Sequence, residues 1–187
     1  MPDIAEKLQF NQRNIDKCIL GIANGESGAF ERLYQMTNSV IYAYALSVMK
    51  NVYDAQDVTH DCFVKVYLNA HTYNSLGKPM SWLLTIAKNI CYSKFRSFKQ
   101  VRQFSDDELE RQLFETADIA VEDKLLVKCC LLKLSDDERT IVVLHAMSGL
   151  KHREIAKFLD LPLSTVITKY RRALTKLENI LVGEQDE

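Results

Sequence analysis

Glycine and proline are scarce here, six and three in 187 residues. Such a chain has few places to turn sharply, and it has no run of β-rich alternation, which speaks against a sheet protein. No apolar run approaches the roughly 18 residues that span a bilayer. The opening MPDIAEKLQFNQRN has no apolar core followed by a small-residue cleavage site, so a secretory signal is not expected and a cytoplasmic location is. Five cysteines, Cys18, Cys62, Cys91, Cys129 and Cys130, form no Cys-x-x-Cys pair and are odd in number, which suggests neither a disulfide framework nor a zinc ribbon. A glycine-rich phosphate loop and clustered catalytic groups are also missing, so no enzyme, cofactor or metal site is expected.

What is present is helical periodicity along nearly every long segment, so the chain reads as all-α. The net charge of −1 hides a sharp layout. Segments 81–104 and 165–176 carry cations and no carboxylate, whereas 105–123 holds eight carboxylates against Arg111. Binding follows the local field rather than the net charge.

The chain is organised around KPMSWLLTIAKNICYSKFRSFKQVR, from Lys78 to Arg102. Trp82, Leu83, Ile86, Ile90 and Phe95 recur at helical spacing and are expected on one buried face. Lys88, Lys94, Arg96, Lys99 and Arg102 fall elsewhere, interleaved with Trp82, Tyr92, Phe95 and Phe98. Aromatic rings stack on bases and cations hold phosphates, so the mixture suits unstacked nucleic acid.

Before it, residues 1–12 read as a polar tail, followed by a helix from Asn14 to Ala23 and a turn from Asn24 to Gly28. A helix over Ala29–Lys50 follows, then a break at Asn51–Asp54 with Asp54 as the expected cap. In the next helix, Ala55–Ala70, Val58, Cys62, Phe63, Val66 and Tyr67 form the expected buried stripe, while Asp54, Asp57 and Asp61 line another face. A run of acids at that spacing is a solvated face or a docking strip for a basic helix. Thr72–Pro79 carries turn-forming residues and reads as a loop. Residues 103–120 are acidic and weakly periodic and read as a flexible linker. The expected division is therefore two small helical domains, 1–102 and 121–187, joined by that linker.

In the second domain Leu125, Leu126, Cys129, Leu132 and Leu134 make one helix. Ser135 caps another, with Glu138 completing a capping box, and Gly149 ends it. His145 and His152 lack partners at metal spacing and read as structural histidines. The last stretch, LKHREIAKFLDLPLSTVITKYRRALTKL, has the pattern of a helix-turn-helix. Ile155, Ala156 and Leu159 pack the first helix, and Leu161 and Pro162 make the turn. Ser164 is expected to cap the second, with Val166, Tyr170, Ala173, Leu174 and Leu177 inward. Thr165, Ile167, Thr168, Lys169, Arg171, Arg172 and Lys176 then face outward, early residues toward base edges and later cations toward phosphate.

Taken together, the chain resembles the bacterial sigma factors of the extracytoplasmic-function group over roughly residues 15–100 and 122–182. GESGAFERLY, DAQDVTHDCFVKVY and SWLLTIAKNICYSKFR resemble successive parts of their second region, and LSDDERTIVVLHAMSGLKHREIAKFLDLPLSTVITKYRRAL resembles their fourth. The resemblance implies binding to RNA polymerase core, through the clamp helices of its largest subunit and its β flap, and to promoter DNA. It further implies an anti-sigma partner and no membrane insertion. Asp54, Asp57, Val58 and Asp61 would face polymerase. Tyr73, Asn74, Ser75 and Lys78 would belong to a loop that takes a flipped minus-ten base, with Trp82, Lys88, Asn89, Lys94, Arg96 and Lys99 along the melting surface. Ser164, Thr165, Ile167, Thr168, Lys169, Arg171, Arg172 and Lys176 would read the minus-thirty-five duplex. The acidic linker matches the family segment in the polymerase RNA channel.

Several positions depart from the family pattern: Ser93 stands where an acid is usual, His60 near a usual glutamine, Ser164 at a common glycine and Ile167 at a common cation. An apolar side chain at 167 can touch a thymine methyl but cannot hold phosphate. Two other classes stay open on the residues alone. One is a stand-alone helix-turn-helix regulator. The other is a thiol enzyme or metal sensor using Cys62 with His60, or Cys129 with Cys130.

Overall fold

The computed structural model describes the backbone of residues 4–98 and 133–183 and the side chains of residues 12–96 and 133–180. All regular structure among them is helical: α1 (Ile4–Ala23), α2 (Ala29–Met49), α3 (Val52–Asn69), α4 (Pro79–Phe98), α5 (Asp136–Ala146), α6 (His152–Leu159) and α7 (Leu163–Gly183), with one 3₁₀ turn over Ala70–Thr72. The expected linker 103–120, the helix built on Leu125 to Leu132, and Lys99, Arg102, Cys129 and Cys130 lie outside the described residues. The chain divides into two compact units, one formed by Met1–Ala45 with Tyr53–Arg102 and the other by Leu46–Val52 with Gln103–Glu187.

In the first unit each helix contributes a stripe at intervals of three and four. Ile15, Cys18 and Ile19 come from α1, and Leu33, Ile41 and Tyr44 from α2; Val58, Cys62, Phe63 and Val66 come from α3, and Leu83, Leu84, Ala87, Ile90 and Cys91 from α4. All are buried, and this burial is the main driving force for assembling the helices. Two expected members of the core are not in it: Tyr67 is 61% exposed and Phe95 is 42% exposed. A helical stripe gives a direction, but how wide an arc is covered depends on the neighbours.

Helix ends also differ from the sequence reading. Helix α1 begins at Ile4 rather than near Asn14. Helix α3 begins at Val52, so Asp54 lies in its first turn instead of capping it. The break between α2 and α3 is short because Lys50 takes a left-handed conformation (φ 53°), an uncommon choice for a side-chain-bearing residue. At the end of α1, Gly25 (φ 73°) permits a Schellman closure. Glu26 N–H donates to Gly21 O at 2.8 Å and Gly25 N–H to Ile22 O at 3.0 Å, satisfying carbonyls the helix leaves open.

In the second unit α5, α6 and α7 pack on one another. Ile141, Val143, Leu144, Leu150, Ile155, Val166 and Ala173 are buried there. The capping box at α5 is present: Ser135 N–H donates to Glu138 Oε2 at 2.9 Å, and Ser135 Oγ accepts from Glu138 N–H at 3.5 Å. Asp160 (φ 57°) supplies the left-handed residue that ends α6, a position short polar side chains tolerate. Helix α7 starts at Leu163, and Val166 N–H donates to Pro162 O at 3.2 Å. The backbone cap is therefore Pro162, and Ser164 sits inside the first turn. Leu174, expected inward, is 39% exposed.

Truncating a fully buried side chain tests the packing of the first unit. Leu83→Ala is expected to cost about 2–5 kcal/mol of its stability. Urea unfolding followed by fluorescence of Trp82, the single tryptophan, reads the change, and an unmoved midpoint would contradict the assigned core.

Candidate nucleic-acid interface and docking surface

Burying one face of α3 leaves Asp57 and Asp61 exposed and Asp54 half-buried on the other. Val58, expected with them, is 0% exposed. Its side chain belongs to the core beneath the strip and is not part of the strip's surface, because residue 58 falls on the inward side of the helix. Beside the acids lies an aromatic hollow of about 380 Å³ between α2 and α3, lined by residues that include Phe30, Tyr34, Tyr42, His60, Phe63 and Val64. Phe30 meets Phe63 at 6.2 Å and the neighbouring Tyr67 at 5.7 Å edge-on, and Tyr34 meets Phe63 at 4.8 Å in a tilted pair. Such contacts favour one fixed arrangement of the rings.

On α4, burial of Leu83, Leu84, Ala87, Ile90 and Cys91 turns Asn89, Tyr92, Phe95 and Arg96 outward. Lys88 Nζ stands 5.7 Å from the centroid of the Tyr92 ring, within range of a cation–π contact. Trp82 is half-buried, its ring 5.0 Å from that of Tyr73. Lys94 donates to Asp57 Oδ2 at 3.1 Å, so a residue assigned to DNA and one assigned to docking meet in an ion pair. Exposed pairs of this kind contribute about 0–1 kcal/mol and separate readily.

Between α3 and α4 the loop 73–78 leaves Asn74, Leu76 and Lys78 exposed. Tyr73 is buried and donates its hydroxyl to Asp16 Oδ1 at 2.5 Å. Ser75 Oγ lies 2.8 Å from Asp16 Oδ1 and 2.7 Å from Oδ2. Burial, and then the adjacent Asp16 carboxylate, push the Tyr73 phenol above its ordinary range. Asp16 escaped sequence reasoning because its partners are 57 and 59 residues away and no local pattern marks it.

On α7, Ser164, Thr168, Arg171 and Arg172 are exposed and Thr165 and Ile167 are half-buried. Two of the expected phosphate cations are engaged within the unit. Lys169 pairs with Asp137 at 2.8 Å and Lys176 with Glu138 at 2.7 Å, both acids lying in the first turn of α5. Burial raises the Glu138 carboxyl, but hydrogen bonds from Lys176 and Ser135 outweigh it and hold the group below its usual range.

His145 has the structural role expected of it: its Nδ1 lies 2.9 Å from Leu150 O, its ring stacks on His152 at 4.4 Å, and both meet Tyr170. His152 Nε2 is buried without a hydrogen-bond partner among the described residues. Among the described residues no group of three or more His, Cys, Asp or Glu is placed to hold a metal. Cys62 and Cys91 are buried, and burial pushes both thiols up to about 12, which suppresses the reactive thiolate. His60 is exposed while Cys62 is buried, so these two do not form a thiol pair. No described helix is long and apolar enough to cross a membrane.

An acidic helix beside a basic aromatic one, followed by a helix-turn-helix, places the chain in the class of modular helical DNA-binding proteins. The family model for Sigma-70 region 2 matches residues 33–100 and that for Sigma-70, region 4 matches residues 124–177, together about two thirds of the chain. The ECF RNA polymerase sigma factor SigW of Bacillus subtilis (strain 168) is 26% identical over 180 residues, covering 89% of this chain and 96% of its own. The ECF RNA polymerase sigma factor SigK of Mycobacterium sp. (strain KMS) is 26% identical over 182 residues, 94% of each chain. Among solved structures, the sigma factor RpoE in complex with the anti-sigma factor NepR, from Bartonella quintana, matches with a TM-score of 0.61 at 21% identity, over 82% of this chain and 97% of that one. CnrH in complex with the cytosolic domain of CnrY matches at 0.57 and 24%, over 91% and 98%. The chain belongs to the sigma-70 family, in its extracytoplasmic-function group, and is a sigma factor that directs RNA polymerase in transcription initiation.

The histidine stack makes the second unit sensitive to acid. Burial first, then His145 and Arg171, lower the His152 value, so the fold favours the neutral ring. The unfolded chain binds the proton more readily, and stability therefore falls as pH drops through about 6.5. The depressed Glu138 adds to the loss further down, as its stabilisation disappears when pH falls through its folded value. Hydrogen exchange in the full chain, corrected for intrinsic rates, is expected to show α6 and α7 losing protection between pH 7 and 5.5. His152→Gln should remove most of that change, and equal protection at both pH values in the parent would refute it.

Proposed function

We propose that the two units divide the work of promoter recognition. The acids on the outward face of α3, Asp54, Asp57 and Asp61, dock on the clamp helices of the largest polymerase subunit, with the neighbouring aromatic hollow receiving apolar side chains. Loop 73–78 and the outward face of α4 hold the opened minus-ten strand, and α7 reads the minus-thirty-five duplex while its unit meets the β flap. The observation that carries this reading is the segregation of charge: acids at 54, 57 and 61 on one helix, and no carboxylate from Ser81 to Phe104.

On α4 the stacking surface comprises Tyr92 and Phe95, exposed between Asn89 and Arg96. Trp82, half-buried against Tyr73, supports the loop. Lys88 and Lys94 supply charge, the latter once it leaves Asp57, and Lys99 extends the same basic run. On α7 the exposed Arg171 and Arg172 hold phosphate, Ser164, Thr165 and Thr168 reach base edges, and Ile167 offers an apolar contact to a thymine methyl. Lys169 and Lys176 join them by giving up Asp137 and Glu138.

The functional domains run from 1 to 102 and from 121 to 187, with 103–120 as an acidic linker. Neither unit binds promoter tightly alone, and tethering through polymerase raises the effective concentration of each. The protein is not itself an enzyme, carries no cofactor and works in the cytoplasm. A partner of the anti-sigma kind fits the likeness to RpoE, which was solved with its anti-sigma factor NepR.

Asp57→Arg combined with Asp61→Arg is expected to abolish specific opening of promoter fragments with core polymerase. Undiminished opening by that variant would overturn the docking assignment. Tyr92→Ala should weaken capture of the opened strand by about 1–3 kcal/mol, the usual value of one base–aromatic stack. Single-strand binding by the holoenzyme measures it, and an unchanged affinity would remove Tyr92 from the surface.

A further inference from the structure

We infer that Asp16 is a positioning residue for promoter recognition: it locks loop 73–78 and turns the Ser75 hydroxyl into an acceptor that favours the exocyclic amine of adenine or cytosine over the carbonyl of thymine. This rests on the reading of that loop as the site of an unstacked base. Asp16 lies on α1, held in the core by Ile15 and Ile19 on either side of it. Helix α1 packs against both the 3₁₀ turn that precedes the loop and α4, which follows it. One helical turn before Asp16, Gln12 Oε1 accepts from Met80 N–H at 3.5 Å. Two side chains on one face of α1 therefore hold the two ends of the loop, Asp16 through Tyr73 and Ser75 and Gln12 through Met80. The exposed tip between them carries Asn74, Leu76 and Lys78, with Gly77 (φ 71°) in the left-handed conformation that makes the bend.

The chemistry of the hydroxyl sets the preference. An ionised carboxylate only accepts, and a serine hydroxyl has one proton to donate and lone pairs to offer. With Ser75 Oγ within 2.8 Å of both Asp16 oxygens, that proton is committed to Asp16. An incoming base then meets an acceptor. Adenine and cytosine present an amine donor, whereas the corresponding group of thymine is a carbonyl. Fixing the loop beforehand also removes an ordering cost from binding, which sharpens discrimination.

The test uses the full chain with core polymerase on a promoter fragment that the parent holoenzyme opens, replacing each base of the opened strand in turn. The parent is expected to show one position at which adenine or cytosine is preferred over thymine by roughly tenfold, as expected for a hydrogen bond gained against a group left unpaired. Asp16→Ala should reduce that preference to about threefold or less while other positions keep theirs. Asp16→Asn, which keeps the shape and one carbonyl acceptor, should fall between and covers the case in which the alanine variant fails to fold. In a Tyr73→Phe, Ser75→Ala background, Asp16→Ala should change nothing further, a non-additivity that loss of a general structural support would not give. A parent-like base profile for Asp16→Asn and Asp16→Ala, with Asn74→Ala and Lys78→Ala altering it, would overturn the role of Asp16 alone. A profile indifferent to Asn74 and Lys78 as well would overturn the loop reading with it.

Discussion

What the first unit can offer a partner depends on the burial of one face of α4. Leu83, Leu84, Ala87, Ile90 and Cys91 fix the rotation of the helix about its own axis. That rotation sends Asn89, Tyr92, Phe95 and Arg96 to the outside together. Were the buried stripe displaced by one residue, roughly 100° of rotation, the aromatic and cationic groups would turn together away from that outward face. The hydrophobic contact thus sets the geometry of an electrostatic surface. Helix α3 obeys the same constraint with the opposite sign: its buried Val58, Cys62 and Val66 determine that Asp57 and Asp61 look outward.

In the second unit the organising group is Glu138. One carboxylate completes the capping box of α5 and also takes Lys176 from α7. The helix that would enter the groove is therefore tied to the start of the helix behind it. Asp137, next in sequence, repeats the arrangement with Lys169. The first turn of α5 favours acids through its exposed N–H groups, and two of the three acids there reach across to position α7.

Much of this was legible in the residues. The α2–α3–α4 succession, the turn at Asn24–Gly28, the capping box at Ser135 and the helix-turn-helix all follow from periodicity and end signals. The misplaced starts of α3 and α7 share a cause. Asp54 and Ser164 are good caps by type, but Lys50 took the strained backbone position at the first break, and Pro162 supplied its carbonyl at the second. Tyr67, Phe95 and Leu174 were expected inside because spacing defines a face without defining its width. The ties of Lys94, Lys169 and Lys176 to acids 32 to 38 residues away and the hold of Asp16 on the loop depend on tertiary placement, which no window of sequence contains.

The two paired lysines of α7 bear on how the unit responds to dissolved ions. A free cation that meets a DNA phosphate releases a condensed counterion, which is why such binding weakens with added salt. Lys169 and Lys176 start from a different state, each already neutralised by a carboxylate. Were Lys169 to turn to phosphate, the exposed Asp137 would be left to recruit a cation from solution, offsetting the ion released from the duplex. In the proposed upstream contact Arg171 and Arg172, exposed on the same helix, would therefore set most of the ionic-strength dependence, while the lysines would exchange one anionic partner for another.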